Sequence, residues 1–385
     1  MKILALGGGS GGHVTPAVAV LRELRYRHPD AEIRFWCDRK YAPQAHSLIH
    51  AFDAAIPVQT VLSGKLRRFH HLRWWQYFTS PAVTLPNIRD AFFVVGGFLQ
   101  SLAKFAMWRP DVVFAKGGFV CVPAGLAARV FRIPLVIHDS DSHPGLANRI
   151  LARFATYIAT GAPLRNYPYD KKRSHYTGIP IGEGFHPYTA KERRDLKAAL
   201  GFDADRPLLV VTGGGLGAGD INAVVADQLE LLLTKASVLL LSGTEHYDTA
   251  RALTPPNNSR FQLHPFITSG EMARALGAAD IVVSRAGATT ILELSALAKP
   301  TIFIPNAKLT AGHQLKNVAE YAEGGAAEVI EEKSLTANPR LLVEVVASLL
   351  ADSPKRNRMA KTFHAFSKPD AAKEVANLIE RAAKR

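Results

Sequence analysis

The sequence predicts an α/β protein built from two doubly wound, parallel-sheet domains in tandem. Three observations predict it. Short apolar runs alternate with helical patterns along the whole chain, which is the signature of a parallel sheet. The first twenty residues, MKILALGGGSGGHVTPAVAV, read as strand, glycine loop and helix. The same opening recurs at Leu208–Asn222, LLVVTGGGLGAGDIN, about 200 residues further on. At 385 residues the chain also exceeds what one ordinary core encloses.

In the opening, the apolar run Ile3–Leu6 meets five glycines within six residues, Gly7 to Gly12 around Ser10, and then His13. Such a loop lets backbone N–H groups and a helix N-terminus approach a phosphate without intervening side chains. Pro16 is expected in the first helical turn. Further strands in this half are read at Glu32–Cys37, Val112–Phe114, Leu135–His138 and Tyr157–Ala159. The irregular stretch from Gly161 to about Tyr188, rich in Pro, Tyr and Gly, is the expected join. The second half supplies strands at Leu208–Thr212, Val238–Ser242, Phe261–Leu263, Ile281–Ser284 and Thr301–Ile304. A last helix from about Asp370 has helical spacing of Ala and Leu and could pack on either domain.

A hydrophobic content of 48% with 21% charged residues excludes general disorder. The net charge of +14 favours an anionic partner: nucleic acid, a phosphorylated substrate or an anionic lipid surface. Cys37 and Cys121 show no metal-ligand spacing and suit a reducing compartment. No basic-then-apolar leader precedes the first strand. The best membrane-span candidate, Asp90–Trp108, has only 13 uncharged residues (Ala91–Ala103) and contains Gly96-Gly97, so a spanning helix is not expected. Residues 54–110 carry seven Lys/Arg against the single acid Asp90, interleaved with Phe69, Trp74, Trp75, Tyr77, Phe78, Phe92 and Phe93. That mixture suits single-stranded nucleic acid or a membrane interface, or in part a plain core helix. No nucleic-acid-binding motif accompanies it, and the apolar clusters favour lipid.

Gly7–Gly12 contains the GxGxxG pattern, and Asp38 closes the next strand, where a dinucleotide enzyme binds ribose. A nicotinamide or flavin enzyme is thus one reading, although it gives His13 no role. A turn without ligand is the plain alternative. Lys116-Gly117-Gly118-Phe119 follows the strand ending at Phe114, a crevice position, although close helix–sheet packing also asks for glycine. His138-Asp139-Ser140-Asp141 ends another strand; Ser140 or Asp141 would either cap the helix from Leu146 or face a substrate. Ser284-Arg285-Ala286-Gly287-Ala288-Thr289-Thr290 reads as an anion site at a helix start, with Glu293 one turn in, placed for a ribose diol or for an ordinary surface ion pair. Thr310-Ala311-Gly312-His313-Gln314 and Asn317 offer donors and acceptors suited to sugar hydroxyls.

GGGSGGHVTPA, KGGFVCVPAGLAA, HDSDSHPGLANRILARFA, GGGLGAGDIN, SRAGATTILEL and GHQLKN occur in that order and together resemble the MurG family of bacterial transferases. The resemblance covers nearly the whole chain, including the basic Gly64–Arg68. It implies a GT-B fold: two Rossmann-like domains facing across a cleft, residues 1–181 for the acceptor and membrane, and 182–365 for the donor, with residues 366–385 packing back on the first. The implied donor is UDP-N-acetylglucosamine and the implied acceptor is the undecaprenyl-pyrophosphoryl-N-acetylmuramoyl-pentapeptide, lipid I. It further implies a peripheral enzyme on the cytoplasmic face of the plasma membrane, with neither metal nor cofactor and no nucleic acid.

By motif, Gly215, Gly217, Ile267, Arg285, Gly287, Ala288, Thr289, Glu293, His313 and Gln314 would serve the donor. Ile267 would meet uracil through its backbone, Glu293 the ribose, and His313 and Gln314 the sugar. Ser10, Gly11, Gly12, Gly117, Gly118 and His138 would serve the acceptor. Lys65, Arg67, Arg68, Phe69, Arg73, Trp74 and Trp75 would meet the membrane. The family's Gly-Asn-Pro-Val-Arg hinge is here Gly178-Ile179-Pro180-Ile181-Gly182, which lacks the Arg; its second-loop Ser is Gly215, and an aromatic hydroxyl is missing at Phe119. The reaction implied is inverting transfer, with His13 as general base and Asp141 the alternative. Arg285, backbone N–H groups and a helix N-terminus would stabilise the departing diphosphate. A soluble UDP-sugar 2-epimerase of the same architecture and a non-catalytic adaptor are the other classes this sequence admits.

Overall fold

In a computed structural model of the chain, the structure describes residues 1–9, 11–65, 81–214, 217–306 and 313–385. The chain forms two compact units. Met1–Pro180 joins Asp370–Arg385 in the first, and Ile181–Pro369 forms the second.

The first unit runs β1 (Lys2–Leu6), α1 (Gly11–Arg27), β2 (Glu32–Cys37), α2 (Ala42–Phe52), β3 (Val58–Thr60), α3 (Pro81–Met107), β4 (Val112–Ala115), α4 (Cys121–Val130), β5 (Leu135–Asp139), α5 (Leu146–Leu151), β6 (Tyr157–Thr160) and β7 (Ser174–Tyr176). Its sheet has the order β3-β2-β1-β4-β5-β6-β7, all parallel. Alternation along the strands divides the core. Ile3, Ala5 and Phe35 face Val14, Leu21 and Ile49 from α1 and α2. Leu4, Leu6 and Trp36 face Phe105 of α3 and Ala124 of α4 on the other side. The helix α16 (Ala371–Ala383) seals the first of these layers through Val375, Leu378 and Ile379, and Arg27 and His28 reach its Glu380.

The second unit contains α6 (Ala190–Ala199), β8 (Leu208–Thr212), α7 (Gly219–Asp227), α8 (Leu229–Lys235), β9 (Ser237–Leu241), α9 (Tyr247–Leu253), β10 (Phe261–His264), α10 (Ser269–Ala278), β11 (Ile281–Ser284), α11 (Ala288–Ala296), β12 (Thr301–Phe303), α12 (His313–Glu323), β13 (Glu328–Val329), α13 (Glu332–Ala337), α14 (Arg340–Ala351) and α15 (Ser353–His364). Its parallel sheet has the order β10-β9-β8-β11-β12-β13. Capping boxes start α6 at Thr189–Glu192 and α10 at Thr268–Glu271. In each sheet the winding reverses beside the first strand, between β1 and β4 and between β8 and β11. The carboxyl ends of those strands are where ligands bind in doubly wound folds.

Two sequence expectations shift. The helix α1 already begins at Gly11, so Pro16 lies inside it rather than in its first turn, and its missing N–H leaves the Gly12 carbonyl without that helical donor. The apolar stretch around residues 91–103 belongs to a longer helix than expected. Val83–Met107 is long and apolar enough by length and composition to cross a bilayer. Here it packs one face on its own unit. Gly97 sits so tightly on Leu62 that an added Cβ would lie 1.8 Å from the Leu62 carbonyl oxygen. Phe105 is fully buried, and the buried Asp90 is paired with Arg89.

Candidate active site

In the first unit the loop after β1 is held by a carboxylate. The Gly9 N–H donates to Asp38 Oδ2 at 2.6 Å, and the Tyr41 N–H donates to Asp38 Oδ1 at 3.0 Å. Gly9 needs its positive φ of 80°, and a Cβ on Gly8 would meet Asp38 Oδ2 at 2.5 Å. The Asp38 carboxylate, buried and committed to this loop, is not free for a ribose, which removes the basis of the dinucleotide reading.

The second loop, after β4, meets the first through His13. Gly117 and Gly118 have φ of 126° and 90°, and a Cβ on Gly117 would stand 3.1 Å from His13 Cε1 and Nδ1. The imidazole thus lies against a glycine backbone whose conformation side-chain-bearing residues rarely adopt. Its Nδ1 is shut off from solvent and has no hydrogen-bond partner among the described residues. Burial pushes His13 down to about 4; Lys116 reinforces this and Asp141 opposes it.

The β5 end brings in the next group. Asp139 is buried, accepts from the Tyr169 hydroxyl at 2.7 Å, and is pushed up to about 7 by desolvation. The Asp141 backbone carbonyl accepts from the Tyr167 hydroxyl at 2.6 Å. His138, expected on the acceptor, is fully buried with Nε2 2.8 Å from the Gly178 carbonyl oxygen, so it braces the 178 turn instead. Neither Ser140 nor Asp141 caps α5, whose N-cap is Gly145 without a side-chain bond. Gly11 and Gly12 open α1. Ser10 lies outside the described residues, as do Arg67, Arg68, Phe69, Arg73, Trp74 and Trp75; Lys65 is exposed.

In the second unit, Gly217 (φ 75°) packs so closely that a Cβ would lie 2.3 Å from the Ser242 carbonyl oxygen; Gly215 lies outside the described residues. After β11, Gly287 is the N-cap of α11 and makes no side-chain cap bond. The first N–H groups of α11, at Ala288 and Thr289, therefore have no side-chain cap, as an anion site requires. Arg285 departs from its expected role. Its guanidinium is buried, donates to the Ile304 carbonyl at 3.1 Å and to Glu332 Oε1 at 2.6 Å, and so faces inward. Glu293, one turn into α11, has no hydrogen-bond or ion-pair partner among the described residues, and burial pushes it up to about 7. Gln314 Oε1 accepts the Asn306 N–H at 2.8 Å, and Asn317 donates to the Ala286 carbonyl at 3.4 Å. His313 opens α12. Ile267 lies in the turn before the Thr268 cap, next to Phe266, which is 60% exposed.

Sequence reasoning passed over Phe266 and Lys116. The signal for each was its context: an aromatic residue just before the polar Thr268-Ser269 turn, and the one charge in a glycine-rich loop. No cluster of three His, Cys, Asp or Glu placed to hold a metal occurs among the described residues. A cavity of about 750 Å³ lies elsewhere in the first unit, near the amino ends of β4 and β5, where Arg109, Arg129, Arg132 and Arg385 line it.

Residues 3–160 match the glycosyltransferase family 28 N-terminal domain, and residues 208–375 match the C-terminal domain of the same family. A UDP-N-acetylglucosamine–N-acetylmuramyl-(pentapeptide) pyrophosphoryl-undecaprenol N-acetylglucosamine transferase from Exiguobacterium sp. is 31% identical over 99% of both chains. Among solved structures, MurG of Acinetobacter baumannii superposes with a TM-score of 0.70 at 23% identity, covering 99% of each chain. A UDP-GlcNAc 2-epimerase from Neisseria meningitidis bound to UDP-GlcNAc reaches 0.68 at 13% identity, covering 99% of this chain and 100% of that one. Those two likenesses establish the GT-B architecture; the full-length sequence relationship goes further, and by it the chain belongs to the MurG family of N-acetylglucosaminyltransferases.

Proposed function

We propose that the chain transfers N-acetylglucosamine from UDP-N-acetylglucosamine to the C4 hydroxyl of the N-acetylmuramoyl unit of lipid I, forming lipid II for peptidoglycan. The observation that carries this reading is the 31% identity, across 99% of both chains, to a relative bearing that activity in its name. The 2-epimerase alternative is a distant neighbour at 13% identity.

The donor side rests on α11. Its uncapped N-terminus at Gly287–Thr289 receives the diphosphate, Glu293 accepts from the ribose hydroxyls, and the Ile267 backbone and Phe266 ring take the uracil. Gln314 and His313 stand at the start of α12 for the sugar. The acceptor side rests on the loops after β1 and β4, where Gly11, Gly12, Gly117 and Gly118 leave room for a second diphosphate. The acceptor oxygen attacks the anomeric carbon, the bond to the UDP oxygen breaks with its electron pair, and the hydroxyl proton passes to His13. Because the guanidinium of Arg285 is taken by Glu332, the helix N-terminus and backbone N–H groups carry the charge of the departing UDP.

We further infer peripheral attachment at the cytoplasmic membrane face through the first unit. Leu85, Ile88, Phe92, Val95 and Leu99 are exposed at helical spacing along α3, and the arginine-lined cavity adds positive charge. The test of the whole reading is radiolabelled transfer from UDP-N-acetylglucosamine to lipid I. Free N-acetylmannosamine or its nucleotide appearing from donor alone, with no transfer to lipid I, would replace it with the epimerase reading.

A further inference from the structure

The loop after β4 contains one charged residue, and that residue is buried. Lys116 is 1% exposed, forms no ion pair among the described residues, and its Nζ donates to the neutral Ser140 hydroxyl at 2.5 Å. An ammonium taken out of water with a hydroxyl as its hydrogen-bond partner, and with the Asp139 and Asp141 carboxylates acting on it only at longer range, is a costly arrangement that an apolar side chain of similar length would avoid. Its surroundings show what the cost maintains. The next two residues, Gly117 and Gly118, form the surface on which the His13 ring lies. Ser140 directly precedes Asp141, whose carbonyl is held from the other side by Tyr167.

The groups that face His13 can be named element by element. The β4–α4 loop contributes Lys116; the Cys121 thiol of α4 is turned to the Gly117 carbonyl. The β5 end contributes His138 and Asp141, while Asp139 is held by the Tyr169 hydroxyl. From the end of β2, Asp38 is turned to Gly9. Among the described residues Lys116 is thus the one group in the set that is cationic at neutral pH, and it opposes Asp141.

We propose that Lys116 is a positioning residue for glycosyl transfer: its buried ammonium anchors Ser140, and with it the Asp141 turn, beside the imidazole, and sets a fixed positive charge next to the group that receives the acceptor proton. This rests on the reading of His13 as the base. Two effects follow. The ammonium counters Asp141, so the imidazole stays unprotonated into mildly acid solution. Desolvation brings Lys116 itself down to about 8, which leaves it mostly charged at neutral pH.

The experiment compares wild type, Lys116→Met and Ser140→Ala by transfer kinetics from pH 3.5 to 9, together with the NMR titration of the labelled His13 imidazole over the same range. In Lys116→Met we expect kcat to fall by about tenfold, with the KM for UDP-N-acetylglucosamine unchanged, and the acid limb and the imidazole titration to move up by roughly half a pH unit or more. Ser140→Ala keeps every charge, so it should lower kcat without moving the acid limb. A Lys116→Met enzyme with wild-type kcat and imidazole titration overturns the proposal. If that variant does not fold, wild-type kcat in Ser140→Ala overturns it. The imidazole titration is read without turnover, so an absence of transferase activity would defeat the functional reading while still testing the effect of Lys116 on His13.

Discussion

Asp38 Oδ2 lies 2.6 Å from the Gly9 amide nitrogen, so a carboxylate at the end of one strand holds the glycine loop of its neighbour. A carboxylate in that position binds ribose in dinucleotide enzymes; here both its oxygens are taken by backbone N–H groups. Asp38→Ala removes two hydrogen bonds to a charged acceptor and should cost about 2–4 kcal/mol of stability. It should also raise the KM for lipid I while leaving that for UDP-N-acetylglucosamine in place. Denaturant melts and separate acceptor and donor titrations check both. NADH should produce no thermal shift in wild type or variant.

His13→Ala should lower kcat by about 10²–10⁴-fold with little change in donor KM. Because burial holds this imidazole down to about 4, it is unprotonated across the neutral range. The wild-type kcat/KM should therefore show no acid limb at the ordinary histidine position near 6.5 and should fall only as the pH approaches 4. A limb centred at 6.5 would show that another group takes the proton.

Gly117→Ala tests the packing of the same ring. The new methyl meets His13 at 3.1 Å, and the φ of 126° suits no residue with a side chain. A stability loss of about 1–3 kcal/mol is expected from the backbone alone. The kcat should fall as well, because the methyl displaces the His13 ring.

Glu293 links function and stability with opposite signs. Its carboxyl is pushed up to about 7, so between about 4.5 and 7 the folded protein keeps a proton that the unfolded chain releases. Stability is complete below that window and declines as pH rises through it. Glu293→Gln should consequently be more stable than wild type at pH 8, by about 1–3 kcal/mol, and equal to it near pH 4. Its KM for the donor should rise by about 10–100-fold through loss of the charged ribose contact. Thermal melts at both pH values, with calorimetric titration by UDP, provide the check.

On α3, Phe92 is 71% exposed and Leu99 also faces solvent. The pair Phe92→Asp and Leu99→Asp should abolish flotation with phosphatidylglycerol vesicles at low salt. Transfer to a short-chain, detergent-soluble acceptor should remain within about twofold of wild type, because neither side chain enters the sites above. Wild-type binding should weaken as salt rises.

Much of this architecture was legible in the sequence. The ten strands expected from apolar runs all form, because central parallel strands are buried on both faces and carry unbroken hydrophobic stretches. The strands β3, β7 and β13 were not legible; their sequences, VQT, SHY and EV, sit at sheet margins where one polar face is tolerated. The glycine loops and Glu293 could be located by motif. The fates of His138 and Arg285 could not, since whether a polar side chain at a strand end turns outward or inward depends on partners distant in sequence. For these two the partners are the Gly178 carbonyl, and Glu332 with the Ile304 carbonyl. Lys116 was hidden for the same reason: nothing local reveals that its ammonium reaches Ser140.

Because α16 completes the core of the first unit, that unit cannot be obtained by cutting the chain at Pro180. During translation its sheet would wait, with the α1 flank uncovered, while residues 181–369 are made and gain their own fold. The first half to leave the ribosome is thus the last to be finished, and a stalled or clipped chain would present an apolar seam to chaperones and proteases.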